Sequence, residues 1–281
     1  MKLIKLVFFD LRRGVREEWI KFLFAFMVCI GCCSLMCHQL SLYHYANGIN
    51  EDVKISLMDF MIYNLRGMKL YSPNMDGQYL LPAVWMFNQV MIALIVGYYP
   101  VRDLEAYGKN TLLRTKSRVN WFLSKIIWTV FMVVVYYLIL YIATFVFCVC
   151  TNNPLSIKPT EYITYLFYDI DLKNIYVDNF IVFILTMPIA TSVVASVMQV
   201  ILSYIVNPFI SFIAVIVMML SSTYIANPAL IGNASMVIRS RFVSPVGFTV
   251  GECSMYLLLY LVLSLVIGIV YFKNKDILNK G

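Results

Sequence analysis

The chain has 281 residues, 61% of them hydrophobic and only 13% charged, with a formal net charge of +7. An ordinary soluble domain is roughly 25% charged and 45–50% apolar, so a water-soluble core of this size cannot absorb the apolar surface present. The 22 Lys and Arg and the 15 Asp and Glu fall outside or at the ends of six long apolar stretches, which excludes a soluble fold and predicts an all-α membrane protein.

In chain order, residues 1–19 come first. Ile4, Val7, Phe8, Leu11, Val15 and Trp19 recur at helical spacing, with Lys5, Arg12, Arg13 and Arg16 around them. This predicts an amphipathic helix lying in the cytoplasmic interface, against the alternative of a solvated basic leader. The apolar run that begins near residue 20 exceeds a signal-peptide core and lacks an A-x-A site, so it reads as a retained first span.

The predicted spans are Ile20–Leu40, Pro82–Pro100, Phe122–Cys150, Phe180–Val206, Pro208–Ala226 and Cys253–Phe272. Each reaches the roughly 20 residues needed to cross about 30 Å of hydrocarbon. They lack the alternation of barrel strands, and a helix satisfies its own backbone in lipid. Between the first two spans lies a loop, His38 to Leu81, with Asn-Gly and Asp-Gly turn signals; Thr151 to Asn179 is polar, acidic and rich in Tyr. Asn207-Pro208 joins spans four and five as a tight antiparallel hairpin. Residues 227–251 are too apolar for a free loop and read as short helices dipping into the outer membrane face, where protein or water must satisfy the backbone. No loop is long enough for a separate soluble domain, so residues 1–281 form a single membrane domain.

Cationic flanks stay in the cytoplasm. With both ends inside, the inner segments carry 15 Lys and Arg and the outer segments seven, namely Lys54, Arg66, Lys69, Lys158, Lys173, Arg239 and Arg241. The basic excess is therefore explained by topology, without nucleic acid. The outer loops are acidic and aromatic, which would suit a cationic amphipathic peptide.

Cys29, Cys32, Cys33 and Cys37 share one face of the first span, with His38 at its outer end. Their chemistry would allow a metal or redox site; helix packing is the simpler reading, because paired C-x-x-C motifs are absent. In span four, Ser192, Ser196, Gln199 and Ser203 form a helical stripe beside Pro188, and Asn88 and Gln89 lie in span two. These six residues are either a packing seam or a substrate-facing wall. Charges deep within a span are missing, which weighs against an ion-coupled carrier. His38 and His44 sit at the outer edge, which weighs against intramembrane hydrolysis.

Residues 101–125 combine two acids and six bases with Gly108, Leu104, Leu112 and Leu113. Such a segment either docks a soluble partner or is a solvated connection. The order Glu105, Gly108, Thr111, Leu112, Leu113, Ser117, Arg118, Trp121, Lys125 resembles the cytoplasmic coupling segment of bacterial ABC-2-type transporter permeases, and the leader, six spans, hairpin and Lys-rich tail resemble that family's layout. Lys116 stands where the family often has Pro, and Lys109 and Asn110 separate Gly108 from Thr111. The resemblance implies a permease subunit in the bacterial cytoplasmic membrane that exports or flips an amphipathic or hydrophobic substrate. It also implies a second permease chain, identical or related, and a separate nucleotide-binding ATPase subunit that holds ATP and Mg²⁺. Arg102, Glu105, Gly108, Leu112, Leu113, Arg118 and Lys125 would couple to that subunit. The chain lacks a G-x-x-x-x-G-K-[ST] loop, so any ATP chemistry would be borrowed, and no catalytic, cofactor-binding or metal-binding residues are assigned to it. The alternative from another class is a non-transporting scaffold or sensor that docks a soluble partner through residues 101–125.

Overall fold

The structure is a computed structural model and describes residues 2–49, 53–69, 81–105, 117–168, 177–244 and 246–274. All regular structure among them is helical; the only β-type pairing is an isolated bridge between Ser240 and Phe248. The helices are α1 (Lys2–Asn47), α2 (Leu57–Leu65), α3 (Ala83–Gly97), α4 (Tyr99–Asp103), α5 (Arg118–Cys150), α6 (Glu161–Tyr168), α7 (Val177–Ile205), α8 (Pro208–Tyr224) and α9 (Val250–Asn274). Among the described residues, five helical stretches are long and apolar enough to cross a membrane: Leu3–Asn47, Ala83–Asp103, Arg118–Cys150, Asn179–Ile205 and Val250–Asn274. The fifth predicted span is the shorter α8, with 17 residues.

One expectation is corrected. The leader is not a separate interfacial helix; it and the first span are one continuous helix of 46 residues, about 69 Å long at 1.5 Å per residue. No Pro interrupts it. Leu6, Asp10, Gly14, Glu18, Phe22, Ala25 and Cys29 recur every three or four residues and form one buried stripe along it, most of it laid against α5. The leader's apolar residues Ile4, Phe8, Val15 and Trp19 lie instead on the exposed face.

The long helices run alternately between two ends of the bundle. At the end called the base here, the N-terminal part of α1 meets the end of α4, the start of α5 and the ends of α7 and α9. Trp121, Tyr204 and Phe272 pack there ring to ring, with centroids 4.9–5.8 Å apart. Asn207 caps α8 by accepting from the Ile210 N–H at 2.7 Å, and Pro208 occupies its first turn. That cap and the missing N–H of Pro208 allow the α7–α8 hairpin to reverse direction within a few residues.

The opposite end holds α2, α6 and the chain between α8 and α9. There Ile231–Ser235 and Val237–Arg239 form two buried 3₁₀ helices, the first packed against α7, α8 and α9. Arg239 is 1% exposed. Its guanidinium donates to Met68 O at 2.8 Å, Thr223 O at 2.6 Å and Lys69 O at 3.2 Å, and also to Ser222 O and Asn233 Oδ1. A cation thus closes the last carbonyls of α8, where the helix dipole is negative.

Candidate functional site

Among the described residues, the base holds a network of eight charged side chains. On α1, Asp10, Glu17 and Glu18 stand beside Arg13 and Lys21; Arg102 and Asp103 come from α4, and Lys125 from α5. Four acids face four bases. The centre is Lys125, whose Nζ lies 2.6 Å from Asp10 Oδ1 and 2.6 Å from Asp103 Oδ2, with all three side chains no more than 4% exposed. Asp10 also accepts from Ser124 Oγ at 2.8 Å and from Tyr99 OH at 3.3 Å, while Arg13 reaches Asp103 Oδ1 at 3.3 Å. The Lys125 ammonium sits 5.1 Å from the ring centre of Tyr99 and 5.2 Å from that of Trp121, within cation–π range.

Local sequence places each group. Asp10, Gly14 and Glu18 follow one another at four-residue spacing, so the stripe that buries the start of α1 also aims two carboxylates inward. Gly14 lets α5 approach: a Cβ there would lie 1.9 Å from Trp128 Nε1. Trp128 in turn stacks on Tyr99 with centroids 4.3 Å apart. Outside the centre the network is wetter. Glu17 pairs with Arg13 at 2.6 Å and with Arg102, whose side chain is 51% exposed, so these outer pairs contribute little to stability. Lys21 pairs with Glu18 at 2.5 Å and donates to Leu94 O at 2.8 Å, tying α1 to α3.

Of the predicted coupling residues, Arg102 and Lys125 belong to this network. Lys125 is buried, so its ammonium contacts Asp10 and Asp103 of its own chain rather than a docking surface. Glu105 is exposed and Arg118 half-buried. Gly108, Leu112 and Leu113 lie outside the described residues. Sequence reasoning missed Asp10, Arg13, Glu17, Glu18, Lys21, Tyr99, Asp103 and Ser124 as members of this site. Asp10, Gly14 and Glu18 keep the four-residue spacing of the buried stripe, but a carboxylate in such a stripe reads as solvated until its cation is known, and nothing in the sequence near Asp103 announces its partner.

The six seam residues are all buried. Asn88 donates to Asn64 O at 3.0 Å and accepts from Tyr136 OH at 2.7 Å. Gln89 Oε1 accepts from Ser192 at 3.3 Å, and the Ser192 hydroxyl pairs with Tyr137 OH at 2.9 Å. Gln199 Nε2 donates to Ala93 O at 2.9 Å, next to Gly97. Ser196 lines the same interface. Ser203 departs from the pattern, because its hydroxyl returns to Val200 O of its own helix. Within one chain these residues join α3, α5 and α7. Cys29, Cys32 and Cys33 are buried on α1, where Asn64 Nδ2 approaches Cys33 Sγ at 3.9 Å. Among the described residues, no group of three His, Cys, Asp or Glu side chains is arranged to hold a metal ion.

The helix lengths and hydropathies are compatible with a multi-pass membrane protein. Over residues 24–278 the chain matches the family described as protein of unknown function (DUF2705), and it belongs to that family. The matched region includes Arg102, Asp103 and Lys125 of the charge network and begins beyond the α1 members. No curated protein matches the chain.

Proposed function

We propose that this chain is the membrane-spanning permease subunit of an ATP-driven transporter that exports or flips an amphipathic or hydrophobic substrate, a peptide being the candidate favoured by the acidic, aromatic loops. In this reading six helices cross a bacterial cytoplasmic membrane with both termini inside, and a second permease chain completes the path. Residues 101–125 rest on a separate nucleotide-binding ATPase subunit.

The observation that carries this reading is the bond between the two flanks of that segment. Asp103 and Lys125 pair directly at 2.6 Å, and both are held to α1, through Arg13 and Asp10 respectively. A push on the intervening residues therefore bears on α1, α4 and α5 together. Arg102 and Glu105 are exposed at the edge of the same site, which supports a role for this edge in meeting a soluble partner.

The test is purification of the tagged chain in mild detergent, followed by mass spectrometry of its partners and an ATPase assay. Co-purification of an ATPase near 1:1, lost in Glu105→Ala/Arg118→Ala while the permease stays folded, is the expected result. A folded preparation without an ATPase would reject the transporter in favour of a scaffold or sensor that docks another protein.

A further inference from the structure

We infer that a single water molecule is bound between α3, α7 and α8 in the interior of the bundle, bridging Gln89 and Gln199. A cavity of about 10 Å³ lies there, lined by Gln89, Ala93, Ser192, Ser196, Gln199 and Met219 among others. A cavity needs at least about 10–15 Å³ on this measure to hold a water, so this one is at the lower limit for a single molecule, and two to four polar partners are needed to keep it. The cavity is too small for a larger ligand.

The partners are fixed by bonds already made. Gln89 commits its Oε1 to the Ser192 hydroxyl, which leaves its Nε2 with two N–H groups to satisfy. Gln199 commits its Nε2 to the Ala93 carbonyl, which leaves its Oε1 as an acceptor. Gln89 Nε2 and Gln199 Oε1 are both buried without a hydrogen bond of good geometry, although the Gln89 amide also lies near the Tyr137 hydroxyl, and Gln89 and Gln199 are 4% and 0% exposed. Turning the Gln199 amide over would break its bond, because the Ala93 carbonyl can only accept. One group donates and the other accepts, and a single water in the cavity can serve both: it accepts from Gln89 and donates to Gln199. Ser196 also lines the cavity, and its hydroxyl is the candidate third partner. The same cavity left dry would strand a donor and an acceptor in an apolar interior, a cost each orphaned group carries in full.

The bound water gives the α3–α7 seam an exchangeable link at the level where α8 also packs. A small shift of one helix can be followed by the water, whereas a direct side-chain bond would have to break.

A structure of the full chain in lipid nanodiscs, at a resolution that shows ordered water, is the direct test. A density peak within hydrogen-bond distance of both Gln89 Nε2 and Gln199 Oε1 is the expected result; an empty cavity, or the two amides bonded to each other, would overturn the inference. Ser196→Ala supplies a second readout. If the water is present, removing its third partner lowers the melting temperature. If the cavity is dry, deleting a buried hydroxyl leaves the melting temperature unchanged or raises it.

Discussion

Gly14 and Trp128 occupy the closest approach of α1 to α5. Ala in place of Gly14 would gain about 1 kcal/mol of helix propensity, yet its Cβ would sit 1.9 Å from Trp128 Nε1. Trp128 is fully buried and stacked on Tyr99, so it has no room to retreat, and the clash outweighs the propensity. Gly14→Ala is expected to destabilise by about 1–3 kcal/mol. Thermal unfolding checks this, and Trp128→Phe in the same chain should recover part of the loss. At Lys125 the balance is electrostatic. Lys125→Met leaves Asp10 and Asp103 buried without their shared cation and should cost about 3–5 kcal/mol, the usual effect of breaking a buried pair from one side. The triple variant Asp10→Asn/Asp103→Asn/Lys125→Met removes all three charges and should recover most of that stability. A loss below about 1 kcal/mol for Lys125→Met would mean that the site behaves like a surface pair.

The elements themselves were largely legible. The long apolar runs gave α3, α5, α7, α8 and α9 close to where they stand, because lipid-facing helices must be apolar over their whole crossing. The continuity of α1 was not legible. Cationic residues near the start suggested a helix lying flat, whereas the stripe through Asp10, Gly14 and Glu18 simply extends that of Phe22 and Cys29. A buried carboxylate reads as solvated in sequence until its cation is known, and Lys125 is 115 positions away from Asp10. The short helix α2 was hidden for another reason: nine residues are too few for a periodicity signal. It starts at a capping box, in which Ser56 Oγ accepts from the Asp59 N–H at 3.2 Å while Asp59 accepts from the Ser56 N–H at 2.9 Å. Asp59 also accepts from the Thr160 N–H at 3.1 Å, which joins α2 to the start of α6. Asp59→Ala should cost about 1 kcal/mol. Burial pushes the Asp59 carboxyl up, against the hydrogen bonds from Ser56 and Thr160. The folded chain therefore keeps this proton to higher pH than the unfolded one. Stability should fall as pH rises from the ordinary carboxylate value through the raised one, and Asp59→Asn should remove that slope in pH-dependent melting curves.

At the scale of the whole molecule, the proposed six-span topology depends on α8, the predicted span that is shorter than the five long apolar helices. Its 17 residues span about 26 Å, a few ångströms less than the hydrocarbon, a mismatch that bilayers absorb at modest cost. Under that proposal α8 crosses fully, and its neighbouring contacts support this. The start of α8 follows the end of α7 at the base through Asn207, while its last carbonyls, of Ser222 and Thr223, are held by Arg239 at the opposite end. Its outward residues Phe209, Ile213 and Val217 are exposed and apolar, as a lipid-facing helix requires. An even count also places the end of α9 on the same side as the start of α1, in keeping with Lys and Arg on both. Single cysteines at Arg12, Asn207 and Asn227 test this in a background in which the seven native cysteines are replaced. With six crossings, an impermeant thiol reagent applied outside intact cells should label only Asn227→Cys, and the other two should react only after the membrane is opened. If α8 fails to cross, Asn207→Cys and Asn227→Cys label from the same side, and the chain beyond α8 reverses its orientation relative to the base.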